Sequence, residues 1–272
     1  MSLRVISWNV NSVRLRLRAL RRLVKRYDPQ VFCLQETKAE NGSFPFEFFR
    51  RLGFEYTIVH GQKMHYGVAI LSKLPLSDSR IKNWCGRPDC RHVYATLPGG
   101  IELHNFYVPA GGDVPDPRVN PKFAHKLKFM AAMTRWFRRK RHPENRYVLV
   151  GDLNVAPHEN DVWDHKKLRR VVTHTPVEIE ALGKMLRSHD WIDAVRRFVP
   201  EDKKLFSWWS YRAENWKAAD KGRRLDHIWV TPALGDSLKA AEVLKRARGW
   251  RPESDHAPVM VTLDLASQSR PT

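Results

Sequence analysis

Apolar residues in this chain fall into short runs, and the spacing inside and between the runs changes in a readable way. Residues 3–10 form a β-branched, aromatic run, after which Leu17, Leu20, Val24 and Tyr27 recur at helical spacing behind Ser12. Asp28-Pro29 stops that helix. Val31-Phe32-Cys33-Leu34 then forms a continuous apolar stretch ending in Gln35-Glu36, the mark of a strand buried on both faces with a polar tip. The opening unit is βαβ-like. Further strands are predicted at 54–59, 67–72, 92–97, 101–108, 146–150, 225–230 and 258–263, and helices at 45–52, 121–141 and 177–188. Strands come several in a row between helices. That order favours an α/β fold with two mixed β-sheets packed face to face and helices outside, a four-layer sandwich, over a purely alternating doubly wound sheet. No linker, repeat or low-complexity segment interrupts the pattern, so residues 1–265 are expected to form a single domain and 266–272 a C-terminal tail.

The ends of these runs carry the candidate chemistry. Asn9 follows Ile6-Ser7-Trp8, Glu36 follows Val31 to Gln35, Tyr107 closes the run that includes Phe106, and Asp152 and Asn154 follow Gly151. Asp226 and His227 begin an apolar run, and Asp255-His256 directly precedes another. Taken singly, each carboxylate is more often a cap or a surface charge. Together they suit one crevice at the rim of a packed sheet. Glu36, Asp152, Asp226 and Asp255, with Asn9, Asn11, Asn154 and His256, offer hard oxygen donors suited to Mg²⁺ or Mn²⁺ rather than the sulfur set of zinc. A phosphodiester is anionic and slow to react. Its hydrolysis needs a cation on its oxygens, a base for water and donors around phosphorus, and this set contains all three.

Charge narrows the partner. The chain has 48 Lys+Arg against 29 Asp+Glu, a formal net charge of +19. The basic residues cluster at 14–26, 135–141, 166–170, 221–224 and 245–251, dispersed as a strip for a polymer rather than gathered on one amphipathic helix as a membrane would prefer. Nucleic acid is therefore the expected partner, and no membrane. No apolar run approaches a membrane span and the N-terminus has no signal-like apolar region, so a cytoplasmic protein with reduced thiols is expected. Of the three cysteines, Cys85 and Cys90 with His92 could supply three soft ligands, but a fourth is missing, and a surface loop is the better reading.

Seven separated segments then combine: Ser7-Trp8-Asn9-Val10-Asn11, Leu34-Gln35-Glu36-Thr37-Lys38, His65-Tyr66-Gly67-Val68-Ala69, Tyr107-Val108-Pro109, Gly151-Asp152-Leu153-Asn154-Val155-Ala156-Pro157, Arg223-Arg224-Leu225-Asp226 and Ser254-Asp255-His256-Ala257-Pro258. In this order and over nearly the whole chain, they resemble the exonuclease III family of abasic-site endonucleases, within the endonuclease-exonuclease-phosphatase superfamily that includes deoxyribonuclease I. Asp161-Val162-Trp163 and the stretch from Phe206 to Arg212 resemble its bacterial branch.

The resemblance implies a deoxyribonuclease I-like sandwich acting as a monomer on double-stranded DNA, at abasic sites and 3′ ends, with Mg²⁺ as cofactor and Mn²⁺ as a substitute. It implies Glu36 as principal metal ligand, helped by Asn11 and Asp255, and Asp152 as the base that activates water, positioned by Asn9 and Asn154. His256, oriented by Asp226, would face a phosphate oxygen, although this pair could also serve as base. Tyr107 would stand near the scissile phosphate as donor or phenolate. Trp208 and Leu225 match pocket positions for the baseless sugar, and Lys221, Arg223 and Arg224 are expected to contact DNA, since the run precedes Asp226 directly.

Three positions depart from the family pattern. Asn11 replaces an Asp of some relatives and weakens the charge at the metal position. Arg223 replaces a pocket Trp and predicts a more open wall. Ala110 replaces an amide and removes one contact. Two other readings compete: a phosphodiesterase or phosphatase of the same superfamily acting on phospholipid or inositol phosphate, disfavoured by the charge, and a nucleic-acid-binding protein with a dead site, disfavoured by the intact carboxylates and His256.

Overall fold

The computed structural model describes residues 2–265, so the tail expected at 266–272 lies outside the described residues. One sheet takes β1 (Ser2–Asn9), β2 (Val31–Gln35), β3 (Tyr56–His60) and β4 (Val68–Ser72) from the N-terminal part, and β13 (Leu238–Val243) and β14 (Val259–Asp264) from the C-terminal part. Its order is β13-β14-β1-β2-β4-β3. The other takes β5 (Ser77–Ile81), β6 (His92–Leu97), β7 (Ile101–Tyr107), β8 (Tyr147–Asp152), β9 (Ile192–Asp193) and β12 (Asp226–Val230), in the order β5-β6-β7-β8-β12-β9. A small ribbon pairs β10 (Trp208–Trp209) with β11 (Gly222–Arg223).

The sheets are mixed: β1–β2 and β7–β8 are parallel and the other pairs antiparallel. Alternation explains why they stack. Val5, Val31, Cys33, Val68 and Ile70 of one sheet meet Val93, Leu103, Val148, Val150 and Ile228 of the other. Their neighbours point outward. Ile6, Trp8, Phe32 and Leu34 pack under α1 (Leu17–Tyr27) and α2 (Phe46–Arg50), while Phe106, Leu149 and Trp229 pack under α3 (Pro121–Lys140) and α5 (Pro176–Arg187). Both faces of each central strand are dry, which is why these segments read as continuous apolar runs. The result is the predicted layering of helix, sheet, sheet and helix.

Local chemistry sets the helix boundaries. The Asn120 side chain accepts the backbone N–H groups of Lys122 (3.0 Å) and Phe123 (3.3 Å), with Pro121 at the first helical position, so α3 begins there. At α5, Thr175 and Glu178 form a reciprocal capping box. Two short helices complete the set, α4 (His165–Leu168) and α6 (Trp216–Ala219).

The predicted strand at 92–97 matches β6 residue for residue, and the helix at 121–141 loses only its last position. Others shift: Phe54 is core, and its strand begins at Tyr56. Besides the two-residue strands β9, β10 and β11, two longer strands went unread for opposite reasons. Every residue of β5 is exposed, so this edge strand has no apolar alternation, and Lys239-Ala240-Ala241-Glu242 in β13 reads as helix by propensity until pairing with β14 overrides it.

A buried polar link fixes the two sheets to each other. Gln35 Nε2 donates to Asn105 Oδ1 (2.7 Å), and Asn105 Nδ2 donates to Leu34 O (3.0 Å) and Ala69 O (2.9 Å). The residues just beyond, Glu36 and Tyr107, are thereby held facing each other. On the second sheet Gly151 has φ +139°, and a Cβ there would lie 1.9 Å from Phe106 O, so only glycine lets β8 close on β7 at this point.

Candidate active site

Strand register gathers the polar tips at one end of the sandwich. Asn9 is level with Gln35 across the parallel pair β1–β2, and Tyr107 with Asp152 across β7–β8. Because β12 runs antiparallel to β8, its first residue, Asp226, is also opposite Asp152. β14 runs antiparallel to β1, which brings the turn preceding it, with Asp255 and His256, to the same end. The backbone there is unusual: Asn11, Ser12, Glu36, Lys38, Tyr66 and Asn154 all have positive φ. For residues such as Glu36 and Lys38 this costs about 1 kcal/mol or more each, and the surrounding hydrogen bonds hold them there.

Asn9 is the hub. Its fully buried Nδ2 donates to Asp152 Oδ2 (2.9 Å) and Glu36 Oε1 (3.0 Å), while its Oδ1 accepts from Asn11 N (3.1 Å). Asp152 Oδ1 accepts from Asn154 N (3.0 Å), and the Asn154 amide is anchored on Val108 O (2.9 Å). On the far side of Asp152, His256 Nε2 lies 3.7 Å from Oδ2, and His256 Nδ1 is 2.8 Å from Asp226 Oδ2. Ser207 holds Asp226 in place: its hydroxyl donates to Asp226 Oδ2 (2.6 Å) and accepts the N–H groups of Leu225 and Asp226 (3.0 Å each).

Burial and charge tune these groups. Burial raises the Asp152 carboxyl from its ordinary 3.8 to about 7; His256 and the Asn9 hydrogen bond oppose the rise, and Asp226 and Glu36 add to it. Burial disfavours an imidazolium at His256, but the carboxylates of Asp226 and Asp152 outweigh it and raise that group to about 10. Glu36 goes the other way. Burial works against its charge, yet Asn9, Lys38 and His256 hold it below the usual carboxylate range. Tyr107 donates to Glu36 Oε1 (2.8 Å), and burial, with Glu36 and Asp152 nearby, pushes its phenol well above the ordinary value. It is a neutral donor rather than a phenolate.

Glu36, Asn11 and Asp255 are linked through Lys38 and the Asn11 amide. Lys38 Nζ lies 3.0 Å from Glu36 Oε2 and 2.5 Å from Asn11 Oδ1, and Asn11 Nδ2 donates to Asp255 Oδ1 (3.2 Å). A positive charge therefore already sits between the two nearest candidate metal ligands. With Asp152 ionised, four carboxylates, Glu36, Asp152, Asp226 and Asp255, face one ammonium and one imidazolium, which leaves two negative charges. A divalent cation on hard oxygen donors fits that excess. Asp152, Asp226 and His256 also bring ligand atoms within 4.8 Å of one another, the only such group among the described residues. Cys85, Cys90 and His92 do not form a metal site: the His92 ring stacks on Phe106 (3.8 Å between centroids) and is bonded to His104.

The residues expected to meet DNA separate into three kinds. Trp208 and Leu225 do share a wall: Leu225 is buried with Ala156, Val162 and Leu168, and half-buried Trp208 packs against that group while its Nε1 donates to Asp255 Oδ2 (3.0 Å). Lys221 is exposed, its ammonium 5.1 Å from the Trp163 ring. Arg224 is a correction. Its side chain is fully buried and bonded to both Asp161 oxygens (2.8 and 2.9 Å) and to Asp193 (2.6 Å), so it supports the fold and cannot reach a phosphate. Arg223 corrects a second expectation. Rather than leaving the pocket wall open, its guanidinium lies 5.3 Å from the Trp208 ring and donates to Val172 O (3.0 Å) and Thr173 Oγ1 (2.8 Å), closing the wall.

Several residues at the site carried no separate signal in the sequence. Ser207 and Lys38 stand inside motifs whose carboxylates drew the reading. Arg91 is stacked between Tyr66 (4.0 Å) and Tyr107 (4.8 Å), and only its position one residue before a predicted strand hinted at it. Arg16 is buried and donates to Asn11 O (2.7 Å) and Tyr211 Oη (3.1 Å), bracing the turn that carries Asn11. A basic residue in a basic helical stretch gives no warning of that role.

With this geometry in hand, comparison with known proteins is specific. The model described as "Endonuclease/Exonuclease/phosphatase family" matches residues 6–256. Exodeoxyribonuclease III of Haemophilus influenzae is 30% identical over 269 residues, covering 94% of this chain and 98% of that protein. An AP endonuclease from Archaeoglobus fulgidus superposes with a TM-score of 0.89 at 29% identity, covering 97% of this chain and 100% of the other. The 3′ phosphatase NExo from Neisseria, bound to product DNA hairpin, superposes with a TM-score of 0.88 at 30% identity, covering 96% and 99%.

Proposed function

Because this chain belongs to the endonuclease/exonuclease/phosphatase family, and within it to the exonuclease III group, we propose that it is a Mg²⁺-dependent DNA repair nuclease that cleaves the phosphodiester 5′ to abasic sites and degrades duplex DNA in the 3′ to 5′ direction. The observation that carries this reading is the bridge made by Asn9 between Glu36 and Asp152, with the Asp226–His256 pair on the other side of Asp152. One carboxylate is held ionised and a second is poised near neutrality, which is what a cation ligand and a general base respectively require.

In this reading Asp152 takes the proton of the attacking water. Asn9 and the Asn154 backbone N–H fix its two oxygens so that the lone pair it offers has one direction. His256, kept protonated by Asp226, presents Nε2–H to a phosphate oxygen, and Tyr107 donates without ionising. Glu36, Asn11 and Asp255 would hold the Mg²⁺, or Mn²⁺ in its place, which supplies positive charge to the phosphate and the departing 3′ oxygen. Lys38 neutralises the same carboxylate when no cation is bound. Trp208 and Leu225 line the space for a sugar without its base, bounded by Arg223, and Lys221 contacts the backbone. Residues 2–265 act as one catalytic unit, monomeric and cytoplasmic.

A duplex with one abasic site, incubated with and without Mg²⁺ beside a recessed 3′-end duplex and a phospholipid, tests the proposal. Incision 5′ to the lesion only with Mg²⁺ is expected. An abasic strand left whole in Mg²⁺, or turnover of the phospholipid alone, would overturn it.

A further inference from the structure

At the flank of the sandwich, the loop 82–87, which leads into β6 at the same end as Tyr107, faces the outer side of α3, and two cavities open between them. One, of 390 Å³, is lined by Arg87, His125 and Lys128 among others, and the second, of 320 Å³, by Lys82, Arg135, Arg139 and Lys140 among others. Cys85 lines both, so the two adjoin end to end along α3. No Asp or Glu lines either cavity. Among the described residues, Lys82, Arg87, Lys128, Arg135, Arg139 and Lys140 have no carboxylate partner within 4.0 Å, whereas Arg118 at the upper rim is paired with Asp116 (2.8 Å). Some exposed cations elsewhere are paired, as Arg51 is with Glu47 and Lys245 with Asp220, but what sets this groove apart is that six cations share one concave surface that no carboxylate lines.

The floor of the groove is built rather than incidental. Lys82 Nζ is held over Trp84 (4.9 Å) and Trp136 (5.7 Å), and the tight turn at 84–87 is closed by Arg87 N donating to Trp84 O (3.0 Å). His125, at the head, is only 8% exposed, and its Nε2 has no hydrogen-bond partner; the nearest carboxylate oxygen, Asp89 Oδ2, is 3.5 Å away and already taken by Arg91 Nε at 2.6 Å. A buried ring nitrogen without a partner is costly unless something supplies one.

We infer that this groove is a second nucleic-acid track, taking the sugar-phosphate backbone of a single strand along α3, down the flank of the sandwich from the catalytic cleft. From Lys128 to Lys140 the helix rises by ~18 Å at ~1.5 Å per residue. That length spans a few nucleotides of one strand. A slot walled by a loop on one side and a helix on the other fits one strand better than a duplex. With Trp84 buried and Trp136 faced by Lys82 and Arg141, bases have little aromatic surface to stack on, so the track reads backbone charge and is indifferent to sequence.

Cys85 reports directly on occupancy, because Cys33 and Cys90 are buried and Cys85 is half-exposed at the junction of the two cavities. The test follows its alkylation by iodoacetamide in metal-free buffer, with an oligothymidylate of about ten nucleotides, longer than the track. At ten times the dissociation constant the oligonucleotide should slow alkylation about tenfold. Charge reversal by Arg135→Glu with Arg139→Glu, both at exposed positions, should abolish that protection and lower the salt slope of binding by about 1.4, at ~0.7 per lost single-strand contact. Circular dichroism checks that the variant folds, and Lys128→Glu provides a second test at a different turn. Unprotected Cys85, protection that survives both variants, or equal protection by polyglutamate or anionic vesicles would overturn the proposal. The readout needs no turnover, so a protein that cuts no DNA but shows this protection would sink the nuclease reading and leave the track standing.

Discussion

Two buried ionic constellations border β12, and their chemistry differs. Around Arg224, the guanidinium groups of Arg224 and Arg196 meet the carboxylates of Asp161 and Asp193 at 2.5–2.9 Å, with backbone N–H groups of His158, Val195 and Arg196 completing the shells. Charge sums to zero. Around Asp152, four carboxylates meet one ammonium and one imidazolium, and Asp226 Oδ1 is buried without a partner. Burial is nearly the same in both places, so burial of charge does not by itself mark a site. The distinguishing feature is imbalance: a cluster whose charges cancel holds loops together, and one with excess negative charge suits a cation.

The sharpest way to break this contrast is Asp152→Asn. If Asp152 activates water, turnover in Mg²⁺ should fall by roughly 10²–10⁴-fold in single-turnover assays while duplex DNA is still bound, because the amide keeps the shape but cannot accept the proton. Normal turnover with lost binding would remove Asp152 from the chemistry.

The converse substitution is Arg224→Met. It leaves Asp193 buried without its guanidinium and Asp161 with Arg196 alone, a loss of about 3–5 kcal/mol that should lower Tm by on the order of 10 °C. Turnover per folded molecule should hardly change. A stable variant that no longer bound DNA would restore Arg224 to the DNA-contacting set.

Opposite pH dependences sharpen the comparison. Asp161 and Asp193 are held below the ordinary carboxylate value, burial opposing and Arg224 prevailing, so the stability they contribute is present above that ordinary value and lost as pH falls through their folded ones. Asp152 and His256 are both raised. Their contribution is complete at low pH and is lost as pH rises through about 7 for Asp152 and about 10 for His256. In metal-free thermal melts, the deficit of Arg224→Met relative to the parent should therefore shrink toward acid. Activity should rise through about pH 7 as Asp152 loses its proton and decline toward pH 10 as His256 does. A deficit independent of pH would show that Arg224 acts through packing alone.

The sequence disclosed the two constellations unequally, for a physical reason. The residues proposed as catalytic stand at the ends of apolar runs, and parallel or antiparallel register converts that position into convergence, so Asn9, Glu36, Tyr107, Asp152 and Asp226 could be read before any coordinates. Arg224 could not. It lies in the same run as Lys221 and Arg223, and only the fold reveals that its side chain turns inward to Asp161, 63 residues away in the chain. Arg223 shows the same limit, because its hold on Thr173 depends on a loop that no local pattern places. The layered sandwich was legible from runs buried on both faces, while the exposed edge strand β5 and alanine-rich β13 were not, since their pairing comes from neighbours rather than from their own residues.

Asn11→Asp carries the smallest effect and tests the imbalance most directly, because it alters charge with almost no change of shape. Asn11 already touches Lys38 and Asp255, so a carboxylate there would raise the excess from two negative charges to three. Without metal the added repulsion from Asp255 competes with the new attraction to Lys38, and a change in Tm of a few degrees at most is expected. With Mg²⁺ the hard, charged oxygen should lower the half-saturating concentration several-fold, about 1 kcal/mol at a partly exposed site. The gain in Tm on adding Mg²⁺ should grow accordingly, since a ligand that binds only the native state stabilises it in proportion to the logarithm of its occupancy. If Mg²⁺ stabilises the Asn11→Asp variant no more than the parent, the excess negative charge at Glu36, Asn11 and Asp255 is not what receives the cation, and the group of Asp152, Asp226 and His256 becomes the place to look.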